Sequence, residues 1–186
     1  MTDLGYIALI LAFLLSIYGI AVSVIGARRN RPELINSGRN TVYVVSGLVV
    51  FATLLMWRAL LTNEFHVEFV ASHSERALPT MFKISALWGG QAGSLLFWSM
   101  LASLMAVSAT WFFGKEASSL KPWVNAALLL YIGFFMTLLL FAENPFARLW
   151  QLPTGQTATA VFQPTGATAL IPADGQGLNP QLQNYW

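Results

Sequence analysis

The chain has 186 residues, of which 56% are hydrophobic and only 10% charged, with a formal net charge of +2. Ordinary globular proteins carry about a quarter charged residues, so this composition excludes a soluble enzyme and points to the membrane. The small net charge argues against a nucleic-acid partner, and the absence of cysteine excludes a disulfide framework, a thiolate metal site and a thiol nucleophile.

Taken in chain order, four apolar runs predict membrane spans at about residues 4–27, 41–61, 86–113 and 122–141. The first is too long for a signal-peptide core and has no Lys or Arg before it, so it is expected to be retained. The expected fold class is an all-α membrane protein. Residues 1–142 form a four-helix transmembrane bundle. Residues 143–186 form an extracytoplasmic segment rich in Pro, Gly and Thr, in which runs such as 157–162 could pair as a small hairpin.

Loop charge predicts the orientation. Arg28, Arg29, Arg31 and Arg39 gather between spans one and two, and Lys115 and Lys121 between spans three and four. The positive-inside rule places both loops in the cytoplasm, so both termini and the mixed-charge loop between spans two and three face outward. Near the outer end of span two, Arg58 can snorkel or pair with Glu64.

Four groups of residues bear on the chemistry: the glycine motif, the histidines, the acids and the tryptophans. Trp88, Gly89, Gly90, Gln91, Gly93 and Ser94 open the third span. Ser85, Gly89 and Gly93 follow at helical spacing and predict one small-residue face for a close helix or a flat ligand. Gln91 is expected to be a buried amide in need of a partner. His66 and His73, seven apart in the outer loop, are more often structural than ligating, and no predicted span contains a histidine. Mid-span acids are absent, which counts against a proton pump. Helix packing is the plain reading of the glycines, and interfacial anchoring that of the seven tryptophans.

Together these stretches resemble the CcmF-type cytochrome c haem lyases, a haem-handling group that also includes the CcsA type. The resemblance rests on residues 65–74 with His73 and Ser74, on Leu78 and Pro79, on residues 83–98, and on the tail with Asp174, Gly175, Gly177, Leu178, Asn179 and Pro180. It runs over the whole chain but matches only the N-terminal part of that family. It implies an integral membrane protein of the bacterial inner membrane or an organellar equivalent, acting on the outer face to join haem to the thiols of an apocytochrome. The implied partners are the remaining part of the lyase, a haem-carrying chaperone, apocytochrome c, a thiol-reducing maturation subunit and the lipid bilayer.

The family's haem-ligating histidines lie beyond residue 186. Haem therefore belongs to the complete assembly, and none is expected on this chain alone. No metal site is expected and no catalytic residue is assigned, so the chain by itself is not expected to be active. Trp88, Gly89, Gly90, Gln91 and Gly93 are the weak candidates for cofactor contact. The tail is expected to lead into a further segment. An accessory subunit of a respiratory or photosynthetic complex and a transporter half are the alternative readings.

Overall fold

In the computed structural model, residues 2–113 and 119–177 are described. Four long helices are each apolar enough to cross a membrane: α1 (Thr2–Arg29), α2 (Pro32–Leu61), α5 (Gln91–Phe113) and α6 (Lys121–Phe141). Two short helices, α3 (Glu68–His73) and α4 (Thr80–Ser85), occupy the connection between α2 and α5. After α6 come three strands, β1 (Arg148–Gln151), β2 (Thr157–Ala160) and β3 (Thr168–Ala169).

The helices pack in a ring, α1 on α2 and α6, and α5 on α2 and α6. One stripe of α1, made of Gly5, Ala8, Leu9, Ala12, Ser16, Gly19, Ser23 and Gly26, is buried in this contact. Small residues at three- and four-residue spacing let helix backbones approach, which supplies packing where lipid removes any hydrophobic drive between helices. Leu9, Val42, Val49, Met56, Leu96, Leu129, Ile132 and Met136 fill the centre and are fully buried. Leu14, Ile17, Val44, Phe51, Leu54, Met105, Leu130 and Phe134 stay exposed on the perimeter. So large an apolar exterior suits a lipid environment and not water.

The C-terminal ends of α1 and α2 are each closed by an asparagine. Asn30 has φ 51° and lets the Arg31 N–H reach the Gly26 carbonyl at 3.1 Å, with Pro32 starting α2. Asn63 has φ 55°, and the Glu64 N–H reaches the Ala59 carbonyl at 3.0 Å. These six-to-one bonds satisfy carbonyls that a helix end would otherwise orphan. The arginine-rich stretch is therefore mostly helix, and α2 begins at Pro32 (nine residues before the expected start of span two).

The third span also differs from expectation. A 3₁₀ turn over Ala86–Trp88 and a bend at Gly89 and Gly90 separate α4 from α5, which starts at Gln91 rather than residue 86. The two glycines permit the break, and the Ser94 N–H bonds to the Gly90 carbonyl at 2.9 Å in the first turn.

The C-terminal strands form one antiparallel sheet in the order β2-β1-β3. Residues 157–160 pair with 148–151, so the expected pairing of the Thr-rich run is present, with Trp150 opposite Ala158. Trp150 is buried and its indole N–H donates to the Ala160 carbonyl at 3.0 Å. The sheet is tied to the bundle end. Arg148 reaches Asp3 at 2.7 Å, and Phe146 is buried against Gly5.

Candidate functional site

Three segments far apart in sequence meet at one end of the bundle. The first leaves α2 through Asn63. Arg58 pairs with Glu64 at 2.7 Å, and Thr62 donates to the same carboxylate oxygen at 3.2 Å. Residues 65–67 then run along the sheet, with the Leu149 N–H on the His66 carbonyl and the Glu68 N–H on the Ala147 carbonyl, each at 3.0 Å. Phe65 and Val67 are buried there. In α3, the Phe69 ring stacks on His73 with centroids 4.5 Å apart and planes 19° apart.

The second segment is the glycine bend. A Cβ on Gly90 would stand 2.3 Å from His73 Nε2, and one on Gly93 would stand 1.9 Å from the Leu87 carbonyl oxygen and 2.3 Å from the Phe69 ring. Real Cβ atoms do not come so close, so both positions need glycine for the Phe69–His73 pair to seat. Ser94 closes the bend by donating its hydroxyl to the Trp88 carbonyl at 2.9 Å. Gly89 is exposed and meets nothing nearer than 3.2 Å. The expected Ser85–Gly89–Gly93 face therefore does not exist as one helical stripe, because the bend interrupts the helix between its members. Gly90 and Gly93 do the close packing, and their partner is α3.

The third segment is residues 173–177, which cap the end of α3. The Gln176 N–H reaches the Ala71 carbonyl at 2.7 Å, and the Gly177 N–H reaches the Ser74 carbonyl at 3.2 Å. A side chain at Gly175 would collide with the Ser74 carbonyl oxygen at 1.9 Å. Asp174 Oδ1 accepts the N–H groups of Arg76 and Gly175, both at 2.8 Å, and Arg76 Nε donates to the Ala173 carbonyl at 2.9 Å. These two backbone donors hold the Asp174 carboxyl below the usual carboxylate range. The Arg76 guanidinium also lies over the Phe65 ring, 5.6 Å from its centre. Lys83, buried, donates to Asn63 Oδ1 at 2.6 Å and fastens α4 to the end of α2.

The histidines are engaged structurally. His73 Nδ1 lies 3.1 Å from the Phe69 carbonyl, a contact that requires Nδ1–H, and 2.8 Å from Ser72 Oγ. Its Nε2 faces Gly90. His66 is partly buried, with Nε2 3.9 Å from Glu64 Oε2. Burial pushes the His66 pKa down, while the Glu64 charge opposes this. These contacts fix the two rings, and no haem chemistry is assigned to them. Among the described residues no group of three or more metal-ligating side chains comes together.

The structure thus brings His73, Ser74, Trp88, Gly90, Gly93, Ser94, Asp174, Gly175 and Gly177 into one junction. Leu178, Asn179 and Pro180 lie outside the described residues. Gln91 is exposed, against the expectation of a buried amide, because it opens α5 at the rim of the bundle. Trp88 is half-exposed beside it, with its ring 5.3 Å from that of Phe97. Local salt bridges of Arg76 and Lys83 with Glu64, Glu68 and Glu75 are the default expectation from the sequence; the structure instead pairs Arg76 with Asp174 and Lys83 with Asn63, contacts that no sequence signal marks.

Comparison with known proteins gives a consistent picture. No family model matches the chain. It is 30% identical over 182 residues to the cytochrome c-type biogenesis protein NrfE of Haemophilus influenzae, covering 98% of this chain and 26% of that protein. It is 31% identical to the cytochrome c-type biogenesis protein CcmF of Pseudomonas aeruginosa, covering 98% and 25%, and 30% identical to the CcmF of Escherichia coli, covering 96% and 24%. A solved structure titled cytochrome c heme lyase CcmF superimposes with a TM-score of 0.70 at 23% identity, over 78% of this chain and 24% of that one, and so shares its fold. The chain spans about a quarter of the length of the curated relatives it matches. Its homologues are the cytochrome c-type biogenesis proteins named CcmF and NrfE, as the sequence motifs indicated.

Proposed function

We propose that the chain forms the N-terminal part of a haem lyase that attaches haem to apocytochrome c, and that it supplies scaffold and a docking surface. The observation that carries this reading is the junction itself. Residues 65–74, 88–94 and 174–177 lie within the stretches on which the family resemblance rests, and they lock together through glycines that tolerate no side chain. A bundle that needed only to span the membrane has no use for such a rigid cap. A lyase that must hold haem and an apocytochrome against each other needs one, because positioned groups lower the entropic part of a barrier. The accessory-subunit and transporter readings have no comparable observation behind them.

In this reading Trp88, Gly89 and Gln91 form the exposed rim that meets the remaining part of the lyase. Gly90, Gly93, His73, Ser74, Asp174, Gly175 and Gly177 hold that rim in place. Haem, the haem-carrying chaperone, the apocytochrome and the thiol-reducing subunit engage the complete assembly. The junction faces the extracytoplasmic side in this reading, since Arg28, Arg29, Arg31 and Arg39 lie around the α1–α2 turn at the opposite end of the bundle.

Complementation tests the proposal. Cells lacking this quarter of their lyase are supplied with the chain and the remainder, and covalent haem on cytochrome c is measured. The chain should restore attachment, and Gly93→Leu should abolish it while the chain stays in the membrane. Normal attachment with Gly93→Leu, or none with the intact chain, defeats the reading. Reporter fusions at Ser37 and Ser72 should report opposite sides of the membrane.

A further inference from the structure

The end of the bundle away from the junction holds a cleft between α2, α5 and α6. Its volume is about 70 Å³, and it is lined by Asn36, Arg39, Thr110, Lys121, Asn125 and flanking aliphatic groups. A water takes roughly 30 Å³ of liquid, so the space exceeds a single water. Among the described residues, its lining holds two cations and no acid. Lys121 opens α6, with Pro122 in the first turn, so the positive end of a 21-residue helix dipole adds to the field.

Thr110 supplies the independent observation. Ser16, Thr41, Thr53, Ser99, Ser108 and Thr137 each donate their hydroxyl to the carbonyl four residues earlier, the usual resting place in an apolar helix. Thr110 is 5% exposed, and its hydroxyl, like those of Ser23, Ser74 and Ser103, has no partner among the described residues; of these four, Thr110 lines the cleft. An unpaired buried hydroxyl is costly, and this one lines a cationic cleft. Asn125, 4% exposed on the facing helix, lines the same space.

We propose that this cleft binds a phosphate group, with Arg39 as the guanidinium fork, Lys121 as the point charge, and Thr110 and Asn125 as neutral donors. Guanidinium matches phosphate oxygens bidentately, and threonine and asparagine complete a tetrahedral acceptor without adding charge. The cleft lies at the end of three membrane-spanning helices, where a phospholipid headgroup or a soluble phosphate could each arrive.

The test uses lipid-depleted protein in detergent, with phosphatidylglycerol, diacylglycerol and inorganic phosphate as probes. Native mass spectrometry follows the lipids, and ³¹P line broadening follows phosphate. Saturable retention of phosphatidylglycerol but not of diacylglycerol is expected, weakened on the order of tenfold by Arg39→Gln and also by Thr110→Val. Retention of the lipid with no phosphate broadening identifies a headgroup. Broadening that the same variants remove and the lipid fails to displace identifies a soluble phosphate. Thr110→Val in the ligand-free protein should melt at the same temperature as wild type or higher, because it removes an unpaired hydroxyl. Binding of neither probe, binding indifferent to both variants, or a lower melting temperature for ligand-free Thr110→Val overturns the proposal.

Discussion

Glycines serve the α1–α2 seam and the junction beneath the sheet in different ways. Along the seam, a Cβ on Gly19 would meet Leu129 Cδ1 at 2.5 Å and Thr41 Cγ2 at 2.7 Å, and one on Gly38 would meet Ser23 Oγ at 2.1 Å. Those neighbours are side-chain ends that can rotate or shift. At the junction, Gly93 and Gly175 face carbonyl oxygens at 1.9 Å. A carbonyl in a helix end or 3₁₀ turn moves only if its backbone moves. The seam therefore resembles ordinary membrane-helix packing, which adapts, while the junction has a single admissible geometry.

The largest effect should come from breaking that asymmetry. Gly175→Ala and Gly93→Ala each force backbone to shift, and each should destabilise by about 3 kcal/mol or more, at the upper end of overpacking costs. Gly19→Ala should cost only about 1 kcal/mol, because Leu129 can change rotamer. Thermal unfolding in detergent, read on the three variants together, checks both. Equal losses at Gly19 and Gly175 would erase the distinction between the two regions.

Asp174→Ala should come next below the junction glycines. It leaves the Arg76 and Gly175 N–H groups without their acceptor, but the carboxylate is fully exposed, so water can replace it. Its main consequence should be local. Amide exchange at Arg76, Gln176 and Gly177 should quicken while the spans keep their protection. If α1 and α2 also lose protection, the cap is not a separate unit from the bundle.

The sequence made the spans legible because twenty apolar residues in a row admit few other readings. It placed the glycine motif at the right position and read close packing from it, but joined the wrong residues into one face. Helical spacing linked Ser85, Gly89 and Gly93, yet spacing has meaning only inside an unbroken helix, and the Gly89–Gly90 bend breaks this one. The true partners, Phe69, His73 and the Leu87 carbonyl, are non-local or carry no sequence signature. Helices α3 and α4 have six residues each, too short for a periodic signal to stand out. Arg58 with Glu64 was readable because both flank one helix end. Arg76 with Asp174 was not, because 98 positions separate them.

The smallest expected effect concerns pH and divides the junction from the bundle again, since among the described residues both histidines lie outside the four long helices. Burial lowers the His66 pKa below its ordinary 6.5, and Glu64 pulls it back upward. The folded chain therefore prefers the neutral ring more than the unfolded chain does. Well above pH 6.5 both states carry a neutral ring, and this preference adds no pH dependence. As pH falls through 6.5 the unfolded state takes up its proton first, so stability declines until the folded ring titrates as well. Melting temperatures at pH 7.5 and 5.5 should thus differ, and His66→Gln should shrink the difference. Glu64→Gln should widen it, because removing the carboxylate takes away the largest contribution that favours the charged ring, with Asp3 the smaller one. The Arg58–Glu64 pair lost in that variant acts at both pH values and largely cancels from the comparison. If Glu64→Gln narrows the difference instead, the Glu64 carboxylate does not act on His66, and the acid sensitivity has its source elsewhere in the junction.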